Sequence, residues 1–405
     1  MTLTPRPYQE QGRDFLAARK FALLADEMRV GKTPQAILAA AKAGAQRMLV
    51  LCPAIAVPQW KSETERWWPA DTRLPAASVL SYQRALKVWQ TDGACDVDVF
   101  IADECHFASN PAAQRTKMVY GKNGFAMNAG ATWALSGTPA TKHAGNLWPM
   151  FRAFGITKMD YEQFCRHHCT YDRTGERVIG TRADRISGVK SMLARIMLRR
   201  TRKEVAPQMP GIDYQFLNVE PVSRVDLSAA NVNAFTTDVR GGNVDTENRV
   251  EVAKVKALPL VEHIDFAIHN ELLTQTVVFG WHIEGLEAVV KGLEARGIKA
   301  DLLNGSTSPK RRVEIQEDFR HGLTQVVVAN ILAAGTAIDL SAASHGFFVE
   351  LDWLPSNNVQ AANRLVSMTK NEPVTFDIVT WPGSRDDNVQ RILLTRAKQL
   401  ANMLS

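Results

Sequence analysis

Two short blocks of this sequence carry residue types that belong together in phosphate chemistry. The first is Asp26-Glu-Met-Arg-Val-Gly-Lys-Thr33. An apolar run, Leu23-Leu24-Ala25, leads into it, and Ala36-Ile-Leu-Ala-Ala-Ala41 follows. The order reads as strand, loop, helix. In that layout the backbone N–H groups of Met28, Arg29, Val30 and Gly31 and the start of the helix cradle phosphate oxygens. Lys32 neutralises the β and γ oxygens, and the Thr33 hydroxyl binds Mg²⁺. A bare Gly-Lys-Thr triplet says little; the flanking strand and helix give it meaning. The second block is Asp103-Glu-Cys-His106, directly after the apolar run Val97-Asp-Val-Phe-Ile-Ala102. A strand-end carboxylate such as Asp103 holds Mg²⁺ through water, and its neighbour Glu104 orients and deprotonates an attacking water. A lone Asp-Glu is a charged turn; here it stands in the right order after a phosphate loop. A third block, Ser136-Gly-Thr-Pro139, ends another apolar run and offers the hydroxyls of Ser136 and Thr138 to sense the nucleotide.

The elements that must hold these residues are visible as alternation. Short apolar runs rich in β-formers, at 48–52, 97–102, 132–135, 276–279, 325–328 and 346–350, are separated by helical stretches. Such runs fit buried parallel strands, and helices between them imply βαβ units. The series occurs twice, roughly over 20–140 and 270–380, which predicts an α/β protein with two mostly parallel sheets flanked by helices. At 405 residues the chain is too long for one compact core. We read a first domain over 1–220, with a helical extension near 150–210, and a second over 256–405. Residues 221–255 between them, polar and containing Gly241-Gly242, read as a linker, or else as a surface excursion within one domain.

Bulk properties narrow the class only modestly. Hydrophobic residues make up 45% and charged residues 22%, an ordinary globular balance. A net charge of +6 suits a polyanionic partner without requiring one. No stretch approaches the ~18 apolar residues of a membrane span, so no membrane partner is expected. Residues 1–7 lack the apolar core of a signal peptide. The five cysteines are odd in number and scattered, which argues against a disulfide framework and for a reducing cytosol.

With these motifs in order, the sequence resembles the Swi/Snf-type ATPases of helicase superfamily two, and within them the small annealing-helicase-like branch. The resemblance covers nearly the whole chain. Arg6-Pro-Tyr-Gln9 is similar to the family's adenine-recognising segment, which implies nucleotide contacts for Arg6 and Gln9. Leu51-Cys-Pro53 with Gln59-Trp60, and Leu80-Ser-Tyr82, resemble its DNA-contacting motifs, which implies DNA contacts at Pro53, Ser81 and Tyr82. Ile196 to Val205 resembles the stretch that ends the family's first lobe. In the second half, Leu303-Asn-Gly-Ser-Thr307 resembles a strand–turn–helix segment with Gly305 at DNA. Ala333 to Leu340 resembles the motif that couples DNA to ATP, implying Gly335 and Asp339 at the nucleotide and Thr336 at DNA. Gln360 then stands for coupling and Arg364 for catalysis. The implied protein is a two-lobed, RecA-like motor with ATP and Mg²⁺ as cofactors. It moves along double-stranded or branched DNA as a monomer, gripping the backbone with little sequence specificity. Arg364 completes the nucleotide site as the cleft closes. Small members of this type are familiar in bacteria and their viruses, so the resemblance favours a bacterial cytosol or a phage-infected cell. No chromatin-reading or nuclease module is visible.

The departures from the family pattern are specific. Asp26 stands where the general phosphate loop has its first glycine, and Arg29 where helicases commonly have another. Ser367 replaces the second of two arginines three apart, Thr369 and Lys370 replace the glycine and glutamine that follow, and Ala337 and Asp339 replace a glycine and an asparagine. Two rivals therefore stand beside the motor: an RNA-dependent ATPase of the same superfamily, and a non-catalytic DNA- or partner-binding protein on a weakened motor fold. Other signals have two readings each. Cys165, His167, His168 and Cys169 suggest zinc, but adjacent histidines on a helix point apart, and a structural or DNA-facing helix suits them better. The basic run Arg195, Arg199, Arg200, Arg202, Lys203 binds phosphates, pairs with acids, or lies solvated. Trp60, Trp67 and Trp68 stack on bases or, more in keeping with tryptophan, pack in the core.

Overall fold

A computed structural model describes residues 4–70, 72–209, 211–220, 242–335, 338–367, 370 and 372–404. The chain forms two compact units, Met1–Pro207 with Arg396–Ser405, and Gln208–Thr395. Each holds one parallel sheet flanked by helices, which is the α/β class expected.

In the first unit the strands are β1 (Phe21–Leu24), β2 (Arg47–Cys52), β3 (Ala76–Ser81), β4 (Val97–Asp103), β5 (Ala129–Leu135) and β8 (Met197–Leu198). They lie in the order β3-β2-β4-β5-β1-β8, all parallel. The apolar runs are continuous because both faces are covered. Along β2, Leu49 and Leu51 enter one core cluster while Met48, Val50 and Cys52 enter the other. The helices that matter for the site are α1 (Pro7–Ala17), α2 (Lys32–Lys42), α3 (Val57–Trp67) and α4 (Tyr82–Asp92). The expected helical extension has helices at Trp148–Ala153, Tyr161–His168 and Ile186–Ala194, and also an antiparallel hairpin, β6 (Cys169–Tyr171) with β7 (Val178–Thr181), which the sequence did not suggest.

The second unit has β9 (Ile212–Asn218), β10 (Thr276–Gly280), β11 (Ala300–Leu303), β12 (Val326–Asn330), β13 (His345–Phe348) and β14 (Val374–Thr380). Their order is β11-β12-β10-β13-β14-β9, again all parallel. Two glycines let the helix Ile283–Glu294 approach the helix Gly242–His269 closely: a Cβ on Gly285 would lie 2.7 Å from Ala253, and one on Gly292 would lie 2.9 Å from Val261.

The units part at Pro207, earlier than the boundary at 220 read from the sequence. The reason is β9, which pairs along its whole length with β14 and so belongs to the second sheet. Of the expected linker 221–255, residues 221–241 lie outside the described residues; from Gly242 onward the chain is helix rather than linker. Among the described residues no helix is long and apolar enough to cross a membrane.

Candidate functional site

Strand order brings the three sequence blocks together. β5 lies between β4 and β1, and the register sets Asp103 beside Leu135 and Leu135 beside Leu24. The carboxyl ends of the three strands therefore line up, and the residues just beyond them emerge at one edge: the 25–33 loop, Asp103-Glu104, and Ser136. Ligands of open parallel sheets bind outside such strand ends.

The 25–33 loop closes onto α2 through Gly31, whose φ of 80° is left-handed. No side chain caps this helix, so its first N–H groups and the positive end of its dipole face the loop. A Cβ on Gly31 would sit 2.4 Å from Gln9 Nε2, so a side chain there would displace the Gln9 amide, and the left-handed φ itself favours glycine. Gln9 is buried; its Oε1 accepts the Arg6 N–H at 2.9 Å, which turns its amide nitrogen to Gly31. Val30 is fully buried, and Met28 packs against Gly137. Lys32 Nζ donates to the carbonyls of Asp26 and Glu27, at 2.8 and 3.1 Å. Burial pulls its ammonium below the usual lysine range, against the opposing charges of Glu104, Asp26 and Asp103. Thr33 is the second residue of α2.

Arg29 has a φ of 68°, one of three left-handed non-glycine residues among those described. The departure noted in the sequence thus falls where glycine costs nothing and an L side chain is strained. A β-branched residue suits this backbone worst. We expect Arg29→Val to be less stable than Arg29→Gly by about 1–2 kcal/mol. Equal urea midpoints for the two variants would refute strain at this position.

Asp103 is held on three sides. Its Oδ2 accepts from the Trp60 indole at 2.7 Å, its Oδ1 from the Glu104 N–H at 3.0 Å, and its carbonyl from the Tyr82 hydroxyl at 2.8 Å. Glu104 is the second left-handed residue, with a φ of 50°. Its Oε2 accepts from Ser136 Oγ at 3.1 Å and lies 3.2 Å from His106 Nδ1, which is 3.0 Å from the same hydroxyl. Burial opposes charge on both carboxylates, and their neighbours split them. Burial and the adjacent Glu104 push Asp103 up, against Trp60 and Lys32. Glu104 is held below the usual range, because His106, Lys32 and Ser136 outweigh its burial. Ser136 Oγ also accepts the Thr138 N–H at 3.1 Å, while the buried Thr138 Oγ1 has no hydrogen-bond partner.

The basic run, whose role the sequence left open, braces this site. Arg200 pairs with fully buried Asp26 through two nitrogens, at 2.5 and 3.1 Å, and also donates to the Tyr8 carbonyl and to Gln35. Asp26 thus replaces a loop glycine in order to anchor an arginine that joins α1, the loop and α2. Removing one partner of such a buried pair costs about 3–5 kcal/mol. Arg199 donates to the carbonyls of Ala25 and Gly137, and Arg202 lies 3.5 Å from Glu27.

Residues expected at DNA are placed unevenly. Pro53 is half-buried where β2 ends. Ser81 caps α4, accepting from the Arg84 N–H. Tyr82 departs from expectation: it is 1% exposed and stacks on Phe107, so its ring offers no surface to DNA here. Trp60, at 2% exposed, is core, as favoured for the tryptophans. In the second unit Gly305 is exposed in the turn after β11. Arg312 joins that turn to the coupling motif, donating to the carbonyls of Asn304, Thr307 and Ala333. The Arg364 guanidinium donates to the Gly335 carbonyl, and a Cβ on Gly335 would lie 3.6 Å from Gln360 Oε1, so these three gather. Asp339 is exposed and accepts the Ser341 N–H. Thr336, Ala337 and Thr369 lie outside the described residues.

The donor set fits a nucleotide with Mg²⁺. The uncapped helix start, the lysine in the loop, the glycine cradle and the orphaned Thr138 hydroxyl all suit a phosphate ligand. Among the described residues no three His, Cys, Asp or Glu side chains form a metal cluster, at Cys165–Cys169 or elsewhere. Mg²⁺ needs none, because it is commonly held by one or two protein oxygens plus substrate phosphates.

The SNF2-related domain family matches residues 8–90 and 76–266, and the helicase conserved C-terminal domain matches 256–368. The DNA annealing helicase and endonuclease ZRANB3 of Mus musculus is 25% identical over 98% of this chain and 40% of its own length. The SWI/SNF-related matrix-associated actin-dependent regulator of chromatin subfamily A-like protein 1 of Xenopus tropicalis is 25% identical over 97% of this chain and 44% of its own length. The chain thus spans well under half of these curated relatives. The solved Sulfolobus solfataricus SWI2/SNF2 ATPase core in complex with dsDNA aligns at 18% identity with a TM-score of 0.46, covering 99% of this chain and 93% of that one.

Proposed function

The chain belongs to the SNF2-related family of helicase-like ATPases, and on that footing we propose that it is a DNA-stimulated motor that hydrolyses ATP and moves along duplex or branched DNA. The observation that carries this reading is the gathering of Lys32, Asp103, Glu104 and Ser136 at the aligned ends of β1, β4 and β5.

Bound ATP with Mg²⁺ supplies the cleavable phosphoanhydride and neutralises its charge. The N–H groups of residues 28–31 and the α2 N-terminus grip the phosphates. Lys32 exchanges its loop carbonyls for phosphate oxygens. Thr33 and Asp103 would hold the metal, and Arg6 and Gln9 would read the base. Glu104, kept ionised by His106 and Ser136, accepts a hydrogen bond from the attacking water at Oε1 or Oε2. The reaction asks mainly for orientation and charge stabilisation, and a carboxylate fixed by two partners supplies orientation. Ser136 touches both Glu104 and the Thr138 backbone, so a change at the carboxylate reaches the 136–139 turn. The resemblance would give Gly335 and Asp339 to the nucleotide, Gln360 to coupling and Arg364 to catalysis, and Pro53, Ser81, Gly305 and Thr336 to DNA. Branched DNA is kept in the proposal from the resemblance to the annealing-helicase-like branch, in keeping with the mouse relative, whose name describes a DNA annealing helicase and endonuclease. A monomer in the cytoplasm of a bacterium or a phage-infected cell completes it.

The test is ATP hydrolysis with and without duplex DNA of arbitrary sequence. We expect stimulation, and an affinity for DNA that falls about 10³-fold between 50 and 200 mM salt if about six phosphates are contacted. Salt-independent affinity, or strong preference for one sequence, overturns the tracking reading. Stimulation by RNA and not by DNA would favour the RNA-dependent rival.

A further inference from the structure

An indole buried in a core must find an acceptor for its N–H, and four of the nine tryptophans donate to a backbone carbonyl. Trp68 donates to Arg73, Trp89 to Asn123, Trp133 to Arg19 and Trp148 to Met159. Trp67 uses Glu63 of its own helix. Trp60 differs: at 2% exposed, it donates across 43 residues of sequence to a carboxylate oxygen, Oδ2 of Asp103, at 2.7 Å. A phenylalanine or leucine would fill the slot without that demand. With the Glu104 N–H on Oδ1 and the Tyr82 hydroxyl on the carbonyl, the bond leaves Asp103 one orientation. Trp60 also rides on α3, which begins four residues after Pro53.

We propose that Trp60 is a positioning residue for the carboxylate that would hold Mg²⁺: its indole N–H fixes one oxygen of Asp103 and fastens that carboxylate to the segment running from Pro53 into α3. The inference rests on the nucleotide-site reading above. Partners one layer behind a metal ligand typically change metal affinity 10–100-fold when removed.

The experiment measures Mn²⁺ binding to the full chain with ADP, by the paramagnetic resonance of free Mn²⁺, alongside binding of a fluorescent ADP in EDTA. Two variants remove the donor. Trp60→Phe keeps an aromatic ring, and replacing Trp60 by its benzothiophene isostere keeps the bicyclic shape if the phenylalanine variant fails to fold. The expected result is Mn²⁺ affinity weakened about tenfold in both, with metal-free ADP affinity unchanged. Wild-type Mn²⁺ affinity in the isostere overturns the proposal, as does an equal loss of metal-free ADP binding, which would mean general disruption. Asp103→Asn separates the two readings. If it loses Mn²⁺ while the isostere does not, Trp60 has no positioning role and the site stands. If Asp103→Asn also binds Mn²⁺ normally, the site reading falls and the Trp60 proposal with it.

Discussion

Glu104→Gln is expected to bind ATP about as well as the wild type and to hydrolyse it about 10²–10⁴-fold more slowly. The amide keeps the size of the side chain and the left-handed backbone is unchanged. What it loses is the anion that His106 and Ser136 now surround. The contacts assigned to ATP lie elsewhere, on the 28–31 N–H groups, Lys32 and Gln9, so ground-state affinity has little reason to fall. An interaction used mainly in the transition state shows itself in this way, through rate and not binding. Lys32→Ala is the contrast: it removes a group that touches phosphate in both states, so binding and turnover fall together. Phosphate release and fluorescent-nucleotide titration read the two effects apart. Wild-type turnover in Glu104→Gln would remove Glu104 from the mechanism and leave the phosphate loop as it stands.

What the sequence disclosed and what it withheld divide by distance along the chain. Lys32, Thr33, Asp103 and Glu104 were legible because each motif is local and follows its own strand. Parallel strands buried on both faces, such as β2 and β4, announce themselves as apolar runs. β9 did not, because it is an edge strand with most of its side chains exposed, so no apolar pattern marks it and the domain boundary was drawn too late. The braces were hidden for another reason. Arg200 finds Asp26 across 174 residues and Trp60 finds Asp103 across 43, and such pairings are fixed by strand order, which no single motif encodes. Tyr82 was misread because a ring with a polar tip fits a DNA contact as well as a core position with one buried acceptor. That acceptor, the Asp103 carbonyl, is known only once β3 and β4 flank β2.

Arg364→Ala is expected to lower turnover about 10³-fold, within the range an arginine contributes in other NTPases, with a much smaller change in ATP affinity. The position is the one at which this chain differs most consequentially from the family pattern, since Ser367 leaves Arg364 without the usual second arginine. Arg364 also has a structural duty, the bond to the Gly335 carbonyl beside Gln360. Arg364→Lys controls for charge, keeping it while losing the planar fork that grips two oxygens at once. If the fork matters, the lysine variant stays slow. Ser367→Arg is the informative companion. Lys370, three positions on, is already tied to the Ser341 and Ala343 carbonyls, so it is not free to take the missing role. If the missing guanidinium limits the rate, Ser367→Arg hydrolyses ATP faster than the wild type. If Ser367→Arg changes nothing and Arg364→Ala turns over normally, neither position stabilises the transition state. Arg29, half-buried in the phosphate loop on a strained backbone, is then the first basic residue to test.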